Sequence, residues 1–271
     1  SSGGLNTLVG TQAGEYNTSG TGNSVLGALS FTQNTTGSKN TSVGAGALRY
    51  NTTGDRNIAM GYKAMNGAGI EQTGSGNVAI GHYALYRGNA TDNSVAVGDS
   101  ALYNNQAFGN TALGAKALKL NDVGAYNTAI GSFTLEKNDL GHLNTVVGAT
   151  AMLSNIDGSS NTAIGAAAME SNESGSYNTA LGHQALIENE IGHNNVAIGN
   201  AAMHNNLDGF YNTAVGDSAF FYNIDGGFNQ VSGADALKNN VHGNGNVAQG
   251  YGSLYSNISG HNNVGIGYHS L

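Results

Sequence analysis

GSFTLEKNDLGHLNTVVG, residues 131–148, is the stretch from which the rest of the chain is read. It opens and closes on glycine, and that glycine returns sixteen times between Gly10 and Gly267. Thirteen intervals are seventeen residues; the one from Gly61 to Gly81 is twenty and the one from Gly98 to Gly114 is sixteen. A metre kept from end to end is the mark of a solenoid, in which each short unit can bury its apolar side only against its neighbours. The expected organisation is one repeat domain over residues 1–271, with an irregular insertion at 62–80.

Within the unit, NTAIG (127–131 and 161–165) and NTAVG (212–216) alternate in character residue by residue. Period-two alternation predicts a short strand, with Thr and Val/Ile on one face and Asn, Ala and Gly on the other. The second half, AKALKLN (115–121) or HQALIEN (183–189), has helical propensity. Too little chain remains for a packed helix and closure, so a second strand is expected there. Asn138 followed by Gly141, repeated as Asn172 and Gly175 or Asn206 and Gly209, is an N-x-x-G turn, the Asn capping it and the Gly taking a left-handed backbone. Asparagines before the strand, such as Asn127, Asn161 and Asn178, would form amide ladders between stacked coils. At a strand spacing of ~4.8 Å, sixteen coils give a rod on the order of 75 Å long.

So small a coil encloses a thin core. Ala112, Ala129, Ala163, Ala180, Ala197 and Ala214 lie on one side of the strand and Val, Ile or Leu on the other. One face is therefore expected to need another chain, and three coils around an axis would bury it. Ser232 and Gln249 replace the aliphatic residue before Gly233 and Gly250, which predicts a thinner or more polar core there. The extra residues between Gly61 and Gly81, and the missing second glycine in the next unit, mark corners where a local contact site or neutral drift is expected.

Composition narrows the function. Glycine supplies 43 and asparagine 38 of 271 residues, while proline, cysteine and tryptophan are absent, which excludes collagen, disulfide staples and thiolate metal sites. The net charge is -8 with no basic cluster, so neither nucleic acid nor an acidic membrane surface is an expected partner. No apolar run is long enough for a membrane helix, so this segment is not expected to insert in a membrane. The opening SSGGLNTLVG is neither a signal peptide nor an initiator sequence, and the chain reads as part of something longer.

A search for chemistry yields no catalytic, cofactor-binding or metal-ligating set. The eight histidines occupy several phases; His142, His193 and His261 share one but stand coils apart, too far to share an ion within one chain. Acidic residues such as Asp122, Asp139, Glu173 and Glu190 follow the corner asparagine and read as turn chemistry. Calcium nonapeptides, phosphate loops and nucleophile elbows are missing, so no enzyme activity and no cofactor are expected. Thr111, Thr128, Thr145, Thr162, Thr179 and Thr213 align on one edge beside a Val/Ile column that reads as core, and such an array suits ice or a crystal surface. Aromatics offer another recognition surface. Tyr126, Tyr177, Tyr211 and Phe228 share one corner phase, and Tyr86, Tyr103, Phe221 and Tyr255 share a second. Their alternative role is to cover a coil corner or seal a groove between chains.

NSVLG (23–27), NTSVG (40–44), NSVAVG (93–98) and NTAIG (127–131), each with Ala-Leu downstream, resemble the head repeats of trimeric autotransporter adhesins and related repeats of bacteriophage tail fibres. The resemblance covers essentially the whole chain. It implies a left-handed parallel β-roll, three chains around a common axis, an extracellular place on a bacterial surface or virion, and a surface for a host protein or glycan. The period departs from the shorter repeat of adhesin heads by the added N-x-x-G corner. The leading expectation is a structural segment of a trimeric fibre contributing to host attachment. The alternative is a monomeric solenoid that binds glycan, mineral or ice through a flat face.

Overall fold

The computed structural model describes residues 4–89 and 91–270. Among them, sixteen three-residue strands follow in chain order and no helix occurs. They fall in two compact units that divide between Asp139 and Leu140. The first unit holds β1 (Thr7–Val9) to β8 (Thr128–Ile130), the second β9 (Thr145–Val147) to β16 (Val264–Ile266). Within each, successive strands pair in parallel and in register: Thr162, Ala163 and Ile164 of β10 lie beside Thr179, Ala180 and Leu181 of β11. The parallel β-solenoid with about seventeen residues per coil, expected from the glycine metre, is the fold of both units.

Strand alternation decides what is inside. The middle residue of every strand but β1, where Leu8 is half-buried, is buried, and it is alanine in most coils, as at Ala112, Ala163 and Ala214. Both flanking residues point outward, so Ile164 and Leu181 are 39% and 44% exposed. The Val/Ile column is thus not core, contrary to expectation, because the narrow interior admits only a small side chain opposite the rest of the coil. Ser232 and Gln249 stand in that outward column too. Their coils keep an apolar centre, Val231 and Ala248, so the core does not become polar there.

The second half of the coil is not the expected strand. A strand would send Ala117 and Leu118 to opposite faces; both are fully buried, and so are Ala185 and Leu186. Neighbouring residues reach one interior because the backbone alternates in handedness: φ is 59° at Lys116 and 50° at Leu118, 57° at Gln184 and 53° at Leu186. An L residue held there costs about 1–2 kcal/mol. The cost is offset by stacking: the Leu118 N–H donates to the Thr134 carbonyl of the next coil at 3.0 Å, and the Lys116 N–H to the Asp99 carbonyl of the preceding one at 2.8 Å. The left-handed residue four after the landmark glycine is the largest buried apolar side chain of its coil, Leu, Met or Phe, in every described coil but the first, where Gly14 stands instead.

Two asparagine columns complete the interior. The amide of Asn172 donates to Asn155 Oδ1 at 2.7 Å and to the Gly175 carbonyl at 3.1 Å; Asn189 and Asn206 repeat the pattern. Ahead of the strand, the Asn178 N–H donates to Asn161 Oδ1 at 2.9 Å, while its amide reaches the Gly192 carbonyl at 2.8 Å. Each column therefore satisfies main-chain as well as side-chain groups in the buried interior. The glycine of N-x-x-G has no left-handed φ, which corrects the turn assignment. It is glycine for space: a Cβ on Gly175 would come within 3.0 Å of the Gly192 carbonyl oxygen and of the amides of Asn172 and Asn189. The left-handed residue sits two places later, at Tyr126, Tyr177, Tyr211 and Phe228 with φ of 52° to 61°.

Candidate functional site

The outward strand residues make one face of each unit. Its two columns carry Thr, Val, Ile, Leu and Met, with Ser24, Gln230, Ser232 and Gln249 as the other polar members, and no charged residue in any of the sixteen strands. Leu26, Met60 and Leu113 are 53%, 42% and 47% exposed in the first unit. Thr111 and Thr128 in the first unit, and Thr145, Thr162, Thr179 and Thr213 in the second, all lie on this face, each beside an exposed or half-buried aliphatic side chain. The expected threonine column is therefore real, and the aliphatic column belongs to the same surface rather than to the core.

The structure brings together only some of the aromatic residues singled out from the sequence. Tyr211 and Phe228 stack, ring centres 5.4 Å apart and planes 5° from parallel, and Phe210 meets both edge-on. His193 lies flat on Phe210 at 5.6 Å, so four rings from three successive coils form one exposed patch in the second unit. Tyr177 is exposed on the same corner column. Tyr126, in the first unit, packs edge-on to Phe108. On the other column Phe221 stacks on His204 with Lys238 above it, and Tyr255 is partly exposed. Lys238 donates to Asp235 at 2.7 Å, and this hydrogen bond raises its pKa above the ordinary value.

Tyr86 and Tyr103 belong to a larger cluster in the first unit, which residue-by-residue phasing misses. Tyr62 stacks on His82 at 5.4 Å, Tyr83 meets both, and Tyr83 in turn contacts Tyr86 and Tyr103. Tyr62 and His82 are twenty residues apart, but each directly follows a landmark glycine, so counting from the glycine would have aligned them. Lys63 stands over Tyr62 and Tyr83, Arg87 over Tyr103 and Arg49 over Tyr50. The hydrogen bond of Lys63 to Tyr62 raises its pKa against a small opposing effect of burial.

This cluster adjoins the irregular coils. The three extra residues swell a corner between Met65 and Gln72, where the Ile70 N–H closes a turn on the Gly67 carbonyl and the Gln72 N–H returns to Tyr50. Gly88 stands where the next coil would carry its ladder asparagine, Thr91 replaces the spacer glycine and Ser94 replaces the asparagine ahead of the strand. The amide ladders lose members, and the consequence is chemical. Among the described residues, the buried side-chain atoms without a hydrogen-bond partner are Arg49 Nε and Asn51 Oδ1 in the regular coil just before, and Gln72 Oε1, Asn89 Oδ1, Thr91 Oγ1, Ser94 Oγ and Asn104 Oδ1 within the irregular ones. A cleft of about 340 Å³ opens beside them, lined by Ala68, Ile70, Arg87, Asn89 and Gln106.

Among the described residues no three His, Cys, Asp or Glu side chains converge as a metal site, and no helix is long and apolar enough to cross a membrane. His142 and His261 are exposed on their corners, and His82 and His242 each pair with one aspartate, Asp99 and Asp225. No protein-family model matches the chain, and no curated protein matches it.

Proposed function

We propose that the chain is a structural segment of a homotrimeric extracellular fibre, an adhesin or a phage-type tail fibre, that contributes to attachment to a host or receptor surface. The observation that supports it is the uncharged, largely aliphatic strand face that each unit exposes. Charge on the outward columns, as this solenoid carries at its corners, would keep them in water, whereas leaving Ile, Leu and Met there along a whole face costs about 25 cal/mol per Å² of apolar surface. Exposed apolar patches of that extent mark interaction sites. The partner best fitted is a second and third copy of the same chain. A face that repeats once per coil is matched in period by an identical face, and β-branched side chains on a regular sheet interdigitate when the repeats coincide. The threonines, which hydrogen-bond through one group and pack through a methyl, suit such a seam.

In the fibre the corners, where charges and rings cluster, are left to face outward. Molar mass by light scattering across a dilution series tests the assembly. About three times 27.5 kDa, independent of dilution, is expected. A stable 27.5 kDa particle would overturn it and transfer the strand face to the second reading, a monomer that binds ice or mineral through its threonine columns.

A further inference from the structure

We propose that the irregular coils of the first unit and the coil before them, over the described residues 49–89 and 91–106, form a binding site for an acidic glycan. The proposal deepens the attachment reading and rests on it, but not on the trimer. Four observations meet in this one place. Both departures from the seventeen-residue interval fall here. Every unpartnered buried side-chain atom among the described residues lies here, including Asn89 Oδ1 on the wall of the cleft and those of Gln72, Thr91 and Ser94, which are fully buried. The largest connected set of tyrosines is here, Tyr62, Tyr83, Tyr86 and Tyr103. Finally, Lys63 and Arg87 are held over those rings, and neither has a carboxylate within ion-pair distance, whereas Lys119 and Lys238 do.

The chemistry that fits these groups is a sugar chain bearing carboxylates. Tyrosine faces, with Tyr62 45% exposed, take the C–H face of a pyranose at small entropic cost. Arg87 belongs to both the cleft and the ring cluster, so an anion there would neutralise a guanidinium already fixed by Tyr103. Hydroxyls would accept from the second hydrogen of the Gln106 amide, whose first is given to Asp122. A neutral glycan would leave the two cations unused. A peptide strand would need an open sheet edge, and the sheet offers none at this corner.

The test is binding of the intact chain, by isothermal calorimetry and saturation-transfer NMR, to oligogalacturonate, hyaluronan oligosaccharide and oligosialic acid. The methyl-esterified form of any oligosaccharide that binds serves as the uncharged comparator. At least one acidic oligosaccharide is expected to bind, with its ester roughly tenfold weaker. Arg87→Gln and Tyr62→Ala should each weaken it by roughly tenfold, with the circular-dichroism melt unchanged, while Tyr211→Ala in the second unit leaves binding intact. Failure of all three sugars to bind, equal binding of acid and ester, or full affinity in both first-unit variants would overturn the site. Such a failure in a chain that is still trimeric leaves the fibre reading standing and removes only the glycan; a monomer that binds does the reverse.

Discussion

The two units share one fold and differ in what they do with it. Up to Asp139 the chain carries eight Lys and Arg against eight Asp and Glu; from Leu140 onward it carries one against nine, so the whole net charge of -8 belongs to the second unit. The second unit keeps its asparagine ladder intact from Asn155 to Asn223, whereas the first drops members of both ladders and leaves buried oxygens unpaired. A solenoid held by nearest-neighbour contacts can concentrate defects in a few coils because the coils beyond supply their own stability. The first unit thus holds most of the chain's Lys and Arg together with the defects, and it is there that the glycan site is proposed.

Spacer glycines should break the comparison most sharply. Gly175→Ala forces a Cβ against main chain and two amides, and a loss of about 3 kcal/mol or more is expected. Gly69→Ala, on the swollen corner with nothing within 4 Å and φ of 91°, should cost only about 1 kcal/mol. Denaturant unfolding of both, with hydrogen exchange assigning the loss to one unit, would show whether the corners differ as described; equal losses would erase the distinction.

The ladders sharpen it next. Asn206→Ala removes the donor to Asn189 Oδ1 and the acceptor for Asn223, an expected loss of about 2–4 kcal/mol. Asn51→Ala deletes a side chain whose oxygen is already unpaired and should cost about 1 kcal/mol less. Ser94→Asn, which restores the asparagine missing ahead of β6 (Val95–Val97), is expected to raise stability by about 1 kcal/mol. A loss in that variant would mean the gap is set by space and not by missing amides.

The smallest effect concerns the one cation of the second unit. The Asp235 hydrogen bond raises the pKa of Lys238 above 10.5, so its stabilisation is complete below the unfolded value and fades as pH climbs through the raised one. Lys238→Met should cost about 0.2–1 kcal/mol at pH 7 and progressively less in strong alkali. A deficit that does not shrink in alkali would assign the role to the lysine stem over Phe221 instead.

The solenoid was legible because glycine spacing is a property of sequence alone. Which residues face inward was legible only in part. Alternation correctly put Ala163 opposite Ile164, but it could not say which side was interior, and the aliphatic column looked like core until the width of the coil was known. The second strand failed for a different reason: Ala-Leu gives no sign of left-handed backbone, a conformation that propensity assigns to glycine and asparagine. Of the candidate site, Tyr86 and Tyr103 showed through their equal phase. Tyr62 and Lys63 did not, because the inserted residues shift the count between them and Tyr83, and the unpaired oxygens are a consequence of three-dimensional stacking that no single residue announces.

The left-handed column constrains this protein's sequence in a way hydrophobicity does not. At the largest buried position of each coil, isoleucine and valine are as oily as leucine, yet branching at Cβ is disfavoured on a backbone at φ near 50°, and Thr150, outside this column, is the one β-branched residue among the described left-handed positions. The fifteen described coils use an alphabet of Leu, Met, Phe and, once, Gly there, while Val and Ile fill the strand one turn of chain away. Tolerance to mutation along the chain is therefore periodic in chirality: a library that shuffles aliphatic residues freely should survive selection at the strands and be purged to unbranched side chains once in every coil.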